Sequence, residues 1–332
     1  MRVLITGGAG YIGSVTNATL RQQGYETVVF DNLSLGHKEA VGDTKLIVGD
    51  LRNKEDIDGI FAKERFDAVI HFAALSLAGE SMEKPYEYYD NNLRGGLNLL
   101  EAMRTAGSKI IIFSSTSAVY GYPSRVPVTE DEPIAPVSVY GSSKRTVEEM
   151  IEWYGKIYGI RSVSLRYFNA AGAMPDGSLG EAHTHESHII PIAFDVATGK
   201  RESFEIYGND YETPDGTCIR DYIHVVDLAR AHIKSVEYLA KGSASVALNL
   251  GVGKGYSNLE VLDTVEAVTG KKIKHTFGPR RPGDPAKLWA DNKKAKEVLG
   301  WEPKYPDLET IVETAWKWHQ NKSKVESQKL DA

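Results

Sequence analysis

The amino-acid sequence predicts a doubly wound α/β fold, a parallel sheet with helices on both faces, together with a smaller mixed C-terminal region. Two observations predict it. Short runs rich in Val, Ile and Phe, most of them without strict polar alternation, suit strands that are buried on both faces. Longer amphipathic stretches separate these runs, and repeated strand–helix–strand order is the pattern of a parallel sheet with crossover helices.

The predicted elements alternate through the first half of the chain and become less regular in the second half. The first-half strands are 2–6, 26–30, 45–48, 67–72, 109–114 and 162–167. The helices between them are 12–23, 54–63, 93–105 and 141–158. The second half is expected to contain helices at 189–198, 224–239 and 259–269 and a late strand at 246–250.

The composition is that of an ordinary globular protein of 332 residues, with 42% apolar and 25% charged residues. The 39 basic and 45 acidic residues give a net charge of −6, which argues against nucleic acid or an anionic membrane as the main partner. The single cysteine, Cys218, excludes a disulfide framework and a thiolate metal cluster. Because no apolar run approaches the length of a bilayer span and the first residues do not resemble a leader, we expect a cytoplasmic enzyme.

A glycine-rich turn predicts a dinucleotide site. Gly7, Gly10 and Gly13 follow the first strand directly and open the first helix, with a spacing one residue longer than the commonest form. Glycine permits the tight turn and lets a pyrophosphate approach the helix N-terminus. Asp31 ends the second strand, where a carboxylate binds the adenosine ribose and repels a 2′-phosphate. We therefore predict a Rossmann fold that binds NAD rather than NADP.

Three side chains are candidates for the chemistry. Tyr140 and Lys144 lie four residues apart at the start of a predicted helix and so share a face. An unperturbed tyrosine, with a pKa of about 10, is a poor base at neutral pH. A nearby lysine and a positively charged nicotinamide would favour its phenolate. Thr116 closes the hydroxyl cluster 114–116 at the end of the fifth strand, where doubly wound sheets bind ligands.

Longer runs make the chain similar to a known family. The runs 6–13, 31–32, 114–121 and 140–144 resemble the extended short-chain dehydrogenase/reductase superfamily. Within that superfamily, the UDP-galactose 4-epimerases (UDP-glucose 4-epimerases) are the most similar family, through runs at 79–85, 166–169, 207–217, 220–225 and 280–284. These runs span about residues 1 to 318 in the family's order and spacing.

The resemblance implies a reaction and three catalytic roles. The reaction is the reversible 4-epimerisation of UDP-galactose and UDP-glucose in galactose metabolism, through a transient 4-keto sugar and with bound NAD. Tyr140 would take the proton of the sugar 4-hydroxyl, and Thr116 would relay it. Lys144 would bind the nicotinamide ribose and lower the pKa of the tyrosine.

The resemblance also implies the ligand contacts, none of them to a metal. The cofactor contacts are Gly7, Gly10, Tyr11, Ile12, Gly13, Asp31, Asn32, Leu33, Ser34, Leu35, Gly36, Asp50, Leu51, Phe72, Ala73, Ala74, Leu75, Ser76, Asn91, Thr116, Tyr140, Lys144 and Phe168. The UDP-sugar contacts are Asn169, His188, Ile189, Glu205, Ile206, Tyr207, Arg220, Arg281, Asp284 and Leu288. The guanidinium fork of an arginine fits phosphate oxygens, although solvated surface charge is the ordinary fate of an arginine.

Two domains and a homodimer are further expectations. Residues 1–168 are expected to form the NAD-binding domain, with a later strand and helix near 222–250 returning to it. Residues 169–332 are expected to form mostly the UDP-sugar-binding domain. By the resemblance, a homodimer would form through the helices at 93–105 and 141–158, although core packing explains their apolar residues equally well.

Three alternatives stay open. A sugar-nucleotide 4,6-dehydratase or decarboxylase could share the scaffold, but dehydratases carry an Asp-Glu pair after the strand-end threonine, where Ser117 and Ala118 stand here. A non-catalytic nucleotide sensor would not need Tyr140 and Lys144. An epimerase of N-acetylated or pentose UDP-sugars is the third, because Leu288 is intermediate in size between the side chains found at this wall of the sugar pocket.

Overall fold

The computed structural model describes residues 1–183, 186–281 and 283–330. The strands are β1 (Arg2–Thr6), β2 (Glu26–Asp31), β3 (Lys45–Val48), β4 (Ala68–His71), β5 (Ile110–Thr116), β6 (Arg161–Tyr167), β7 (Asn169–Ala171), β8 (Phe204–Tyr207), β9 (Ile219–Arg220), β10 (Tyr222–His224), β11 (Val246–Leu250), β12 (Tyr256–Ser257), β13 (His275–Gly278) and β14 (Lys287–Leu288). The helices are α1 (Tyr11–Gln22), α2 (Lys54–Lys63), α3 (Ala78–Glu83), α4 (Pro85–Tyr89), α5 (Gly95–Ala106), α6 (Val139–Tyr158), α7 (Ile189–Ala197), α8 (Val225–Ala240), α9 (Asn258–Thr269), α10 (Lys293–Leu299) and α11 (Leu308–Leu330). None of the helices in these ranges has the length and apolar character needed to cross a membrane.

Seven parallel strands form the main sheet, in the order β11-β6-β5-β4-β1-β2-β3. The chain runs outward in one direction from β1 to β3 and in the other from β4 onward, so the strand order reverses between β1 and β4. Ligands of such sheets bind beyond the carboxyl ends of the strands at this reversal. The predicted doubly wound parallel sheet is confirmed.

Alternate side chains of β1 explain how both faces of the sheet are buried. Val3 and Ile5 belong to an apolar cluster with residues of α1 and α8, whereas Leu4 belongs to a second cluster with residues of α2, α5 and α6. Successive side chains of a strand point to opposite faces. A strand with helices on both faces therefore needs a continuous apolar run rather than polar alternation.

The second half of the chain builds three small sheets and returns once to the main sheet. β7 pairs with β10, β8 with β13, and β9 with both β12 and β14. The helices α7, α9 and α11 share a third apolar cluster that includes Phe194, Val261 and Ile311. β11 then joins the main sheet beside β6, and α8 packs on α1.

Three predicted boundaries near the candidate site are wrong. The fifth strand runs to Thr116 rather than 114, because its last residues continue to pair with β6. The helix of Tyr140 begins at Val139, two residues early, because the hydroxyl of Ser138 accepts a hydrogen bond from the Gly141 amide (3.1 Å) and caps it. An α-helix was expected to begin at residue 93, but this residue lies in a π-helical turn, Asp90–Arg94, and α5 begins at Gly95.

Candidate active site

The turn between β1 and α1 is so tight that Gly7 and Gly13 have no space for a side chain. Gly7 has φ +75°, and a Cβ there would lie 2.5 Å from the backbone nitrogen of Ala73. A Cβ on Gly13 would lie 2.3 Å from the carbonyl oxygen of Gly7. α1 begins after Gly10 without a side-chain cap and without an acidic residue in its first turn. Because the first amides of an uncapped helix favour an anion, this turn fits the pyrophosphate of a dinucleotide.

Asp31 is buried at the carboxyl end of β2, beside this turn. Its two carboxylate oxygens accept hydrogen bonds from the backbone amides of Ala9 (2.9 Å) and Leu33 (2.8 Å). These bonds tie the β1–α1 turn to the segment after β2. Since each carboxylate oxygen can accept a second hydrogen bond, Asp31 can still bind the hydroxyls of a ribose.

The segment after β3 lies against the same edge. The side-chain amide of Asn32 donates a hydrogen bond to Asp50 (3.2 Å), and Arg52 binds the same carboxylate through two nitrogens. The hydrogen bonds from Arg52 lower the pKa of Asp50 to about 2. Leu51 is buried in the apolar cluster below. The structure therefore brings Asp31, Asn32 and Asp50 together, as the sequence predicts.

Asn92, which sequence reasoning missed, holds the loop after β4 in place. Its buried amide accepts a hydrogen bond from the Leu75 nitrogen (2.9 Å) and donates to the Leu75 carbonyl (3.1 Å). It also donates to the hydroxyl of Ser143 on α6 (2.9 Å). The predicted contact Asn91 lies next to it and donates to its side-chain oxygen (3.0 Å). The amide thus fixes the predicted cofactor loop 72–76 to the helix of Tyr140.

The remaining predicted cofactor contacts lie near the carboxyl ends of the parallel strands. They are the first turn of α1 with Tyr11 and Ile12, the segment with Ser34, Leu35 and Gly36, the segment with Phe72, Ala73, Ala74 and Ser76, and Phe168 after β6. Gly36 packs on the β1–α1 turn, since a Cβ there would lie 2.8 Å from the Cβ of Ala9.

Tyr140 and Lys144 occupy the first turns of α6, opposite the end of β5. The phenol of Tyr140 is hydrogen-bonded to the hydroxyl of Thr116. Lys144 is only 3% exposed, and its ammonium nitrogen lies 4.7 Å from the centroid of the Phe113 ring. The three predicted catalytic residues are therefore adjacent in the fold, although Thr116 and Lys144 are 28 positions apart in the chain.

Burial shifts the pKa values of Tyr140 and Lys144 in opposite directions. Burial raises the pKa of Tyr140 to about 12, and the hydrogen bond with Thr116 opposes the increase. Burial lowers the pKa of Lys144 to about 7, and the nearby Glu148 opposes the decrease. In the ligand-free protein, desolvation is therefore the largest influence on the pKa of both groups.

A buried polar network between α6 and strands β5 and β6 was also missed by sequence reasoning. Arg166 on β6 binds both carboxylate oxygens of Glu148 (2.9 and 2.6 Å), and the hydroxyl of Ser115 donates to the same carboxylate (2.6 Å). Arg166 also donates to the hydroxyl of Tyr120 (3.1 Å), which donates to Asn249 (2.7 Å). The only available signal was position, because Glu148 follows Tyr140 and Lys144 at two successive intervals of four residues.

Four of the predicted UDP-sugar contacts, Arg220, Arg281, Asp284 and Leu288, form a second group on β9, β14 and the loop before β14. Arg220 pairs in register with Leu288, and its guanidinium lies 3.4 Å from Asp284. Asp284 also binds Arg281 (3.0 Å), whose guanidinium lies 4.9 Å from the centroid of the Tyr207 ring. One carboxylate therefore holds two guanidinium groups in a small area, an arrangement that fits a phosphate group. Pro282 of the predicted loop lies outside the described residues.

The side chains of some predicted UDP-sugar contacts bind or pack against other parts of the protein. The Ile206 side chain is fully buried in the C-terminal core, so only its backbone can face a ligand. The side-chain amide of Asn169 donates to the carbonyl of Asp221 (2.9 Å). Nδ1 of His188 lies 2.5 Å from Glu181, next to Ile189 at the start of α7. The Glu205 carboxylate lies against Gly278 of the neighbouring strand.

Two ionisable residues of the motif at 220–225 have structural roles. Burial raises the pKa of Asp221 to about 6, and its carboxylate accepts hydrogen bonds from the amides of Val252, Gly253 and Ala290. Burial likewise lowers the pKa of His224 to about 4, and its ring caps α8 through the Val226 amide. These bonds hold β9 and β10, and with them Arg220, between the two halves of the chain.

Comparisons with known proteins agree on the family. The family model described as GDP-mannose 4,6 dehydratase matches residues 4–314. The UDP-glucose 4-epimerase of Lacticaseibacillus casei is 50% identical over 322 residues, which cover 97% of each chain.

Two solved structures extend the comparison. The UDP-glucose 4-epimerase of Brucella ovis in complex with NAD is 48% identical and superposes with a TM-score of 0.92, over 95% of this chain and 97% of that one. The UDP-Glc/GlcNAc 4-epimerase of Campylobacter jejuni is 41% identical, with a TM-score of 0.85 over 96% and 99%.

Replacement of Glu148 by glutamine tests the buried network. Glu148→Gln leaves the Arg166 guanidinium buried without a counter-charge, and we expect the free energy of unfolding to fall by about 3–5 kcal/mol. Urea denaturation measures the change. Glu149→Gln is the matched control, because Glu149 is the next residue on α6 and forms an exposed pair with Arg145, so about 1 kcal/mol or less is expected. Equal losses in both variants would contradict the proposed role of the network.

Proposed function

The chain belongs to the UDP-glucose 4-epimerase family of the extended short-chain dehydrogenase/reductase superfamily, and we propose that it interconverts UDP-galactose and UDP-glucose with one retained NAD. The observation that carries this proposal is the meeting of Thr116, Tyr140 and Lys144 beyond the end of β5. These side chains can move a proton, and they lie at the same edge of the sheet as the glycine turn and Asp31.

The residues at the reversal of strand order between β1 and β4 fit NAD. The uncapped start of α1 suits the pyrophosphate, and Gly7 and Gly13 allow the tight turn before it, because a Cβ at either position would collide with neighbouring backbone. Asp31 suits an unphosphorylated adenosine ribose. When bound, NAD supplies reversible hydride transfer at C4 of the sugar, while the protein supplies placement and proton transfer.

Tyr140 and Thr116 are proposed to move the proton of the sugar 4-hydroxyl. With a pKa of about 12, Tyr140 holds its own proton at neutral pH in the ligand-free protein. A positive charge next to the phenol would lower this pKa. Lys144, with a pKa of about 7, is about half charged at neutral pH and lies one turn further along α6. The hydrogen bond to Thr116 gives the phenolic proton a path toward the strand end.

Arg220 and Arg281 are proposed to bind the pyrophosphate of the UDP-sugar, and Asp284 is proposed to position them. The two guanidinium groups already lie around one carboxylate, so the positive charge is assembled before a ligand arrives. On this proposal, residues 1–168 with the later segment near 222–250 bind the cofactor, and residues 169–332 mostly bind the sugar nucleotide. The uncharged residues Ser117 and Ala118 after Thr116 favour an epimerase over a dehydratase, which needs further acid–base groups.

We also propose that the protein works as a cytoplasmic homodimer. Neighbouring helices α5 and α6 expose Leu97, Trp153, Ile157 and Tyr158, at 45, 59, 63 and 41% of their surface. Adjacent exposed apolar residues of this size are typical of a protein interface. The one cysteine of the chain is free, as expected for a reducing compartment.

Replacement of Tyr140 tests the proposed function. Tyr140→Phe removes the proton-transferring hydroxyl, and we expect the conversion of UDP-galactose to UDP-glucose to slow about 10³-fold. NAD should remain bound and the melting temperature should change little. Product analysis without added NAD measures the conversion. Tyr25→Phe is the control, because Tyr25 lies at the opposite end of β2 from Asp31. Full activity in Tyr140→Phe would overturn the assignment.

Leu288 is expected to set tolerance for a group at C2 of the sugar. Leu288→Tyr should lower the kcat/KM for UDP-N-acetylgalactosamine at least 10-fold and leave that for UDP-galactose nearly unchanged, because the larger ring narrows the space beside Arg220. Lys287→Tyr is the matched control, since Lys287 is exposed on the same strand. Equal losses on both substrates would mean that Leu288 does not form the discriminating wall.

The dimer proposal predicts a change in mass. The double variant Trp153→Glu, Ile157→Glu places two charges in the proposed interface, and we expect light scattering after gel filtration to report a monomer. Phe277→Glu is the control, because Phe277 is 47% exposed on β13, outside this face. A wild-type monomer, or an unchanged mass in the double variant, would contradict the proposed interface.

A further inference from the structure

The segment between β7 and α7 gathers four possible metal ligands. Glu181, His183, Glu186 and His188 each offer one ligand atom, and these atoms all lie within 4.8 Å of one another. Thr184 and His185 between them lie outside the described residues. The family resemblance implied no metal contact in this chain.

The distances in this cluster resemble the edges of a coordination sphere. Nδ1 of His183 lies 3.2 Å from Glu181 and 3.5 Å from Glu186. Nδ1 of His188 lies 2.5 Å from Glu181 and 3.3 Å from Glu186. A tetrahedral zinc site with bonds of about 2.05 Å would have ligand–ligand edges of about 3.3 Å. Three of the four distances are close to that value.

A buried carboxylate oxygen provides an independent observation. The Glu181 side chain is only 10% exposed, and its Oε1 is buried without a hydrogen-bond partner. The imidazole nitrogens of His183 and His188 lie beside this oxygen, 3.2 and 2.5 Å away. An unsatisfied buried oxygen is costly, and a cation at the centre of the cluster would satisfy it.

We propose that Glu181, His183, Glu186 and His188 bind one divalent transition-metal ion, with zinc the best match. Two imidazoles and two carboxylates form a nitrogen–oxygen ligand set that zinc accepts in tetrahedral geometry. Four protein ligands leave no open position, so the ion would be structural rather than catalytic.

The metal would fasten this segment to the β1–α1 turn and the C-terminal helix. The Tyr11 hydroxyl in α1 donates to the Gly172 carbonyl (2.5 Å), and the His37 ring lies 2.7 Å from the Ala182 carbonyl. From the other side, the indole nitrogen of Trp318 in α11 donates to the carbonyl of Glu181 (2.7 Å). Metal binding at this site does not depend on the proposed reaction.

Metal content and cobalt absorption test the site. The full chain, without a histidine tag, is treated with a chelator, dialysed and titrated with Zn²⁺ or Co²⁺. We expect one equivalent of metal per chain, intense visible absorption from four-coordinate Co²⁺, and a melting temperature about 5 °C higher at a hundredfold excess over the dissociation constant. Binding well below one equivalent, with no cobalt absorption, would overturn the site in favour of an ion-paired cluster of imidazolium and carboxylate groups.

A double variant assigns the ligands. His183→Gln with Glu186→Gln should abolish stoichiometric zinc binding, whereas His275→Gln, which changes an imidazole outside the cluster, should retain it. Full binding in the double variant would refute the assignment. If the double variant does not fold, the cobalt spectrum of the wild-type protein decides, because octahedral or absent absorption refutes the site and four-coordinate absorption supports it.

Discussion

The ion pair between Glu148 and Arg166 joins the helix of the reactive residues to strand β6 of the main sheet. Both side chains are buried, and the guanidinium binds the carboxylate through two nitrogens. Since a buried charge without its partner is strongly destabilising, α6 cannot shift along β5 and β6 without losing this pair. Tyr140 and Lys144 lie two turns and one turn before Glu148 on the same helix, so their positions against Thr116 depend on this contact.

The parallel sheet makes that placement useful. The carboxyl ends of β1, β2, β4, β5 and β6 meet at one edge, so the glycine turn, Asp31, the loop after β4 and Thr116 all lie along that edge. The second half of the chain reaches the same edge through β9 and β10. Asp221, buried and bonded to three backbone amides, holds Arg220 beside Leu288 there. Rigid elements thus carry both the redox half of the proposed site and the nucleotide half.

The sequence predicts the local parts of this arrangement well. Gly7, Gly13 and Asp31 are identified because their roles depend on the adjacent turn, and Tyr140 and Lys144 because helical spacing places them on one face. Asn92 and Glu148 are missed because their partners, Leu75 and Arg166, are distant in the chain. The raised pKa of Tyr140 could not be predicted for a related reason, since burial is a property of the fold. The cluster at 181–188 has no recognisable spacing and becomes visible only when its side chains converge.

The fate of the hydrogen on C4 of the sugar tests the central claim most directly. The purified protein is incubated with UDP-galactose in deuterated water, and the UDP-glucose formed is analysed by NMR. The account predicts that C4 keeps its original hydrogen, because Tyr140 and Thr116 handle only the hydroxyl proton and the hydride returns from the retained cofactor. Deuterium at C4 would contradict the account, because solvent hydrogen reaches that carbon only if it is deprotonated and reprotonated.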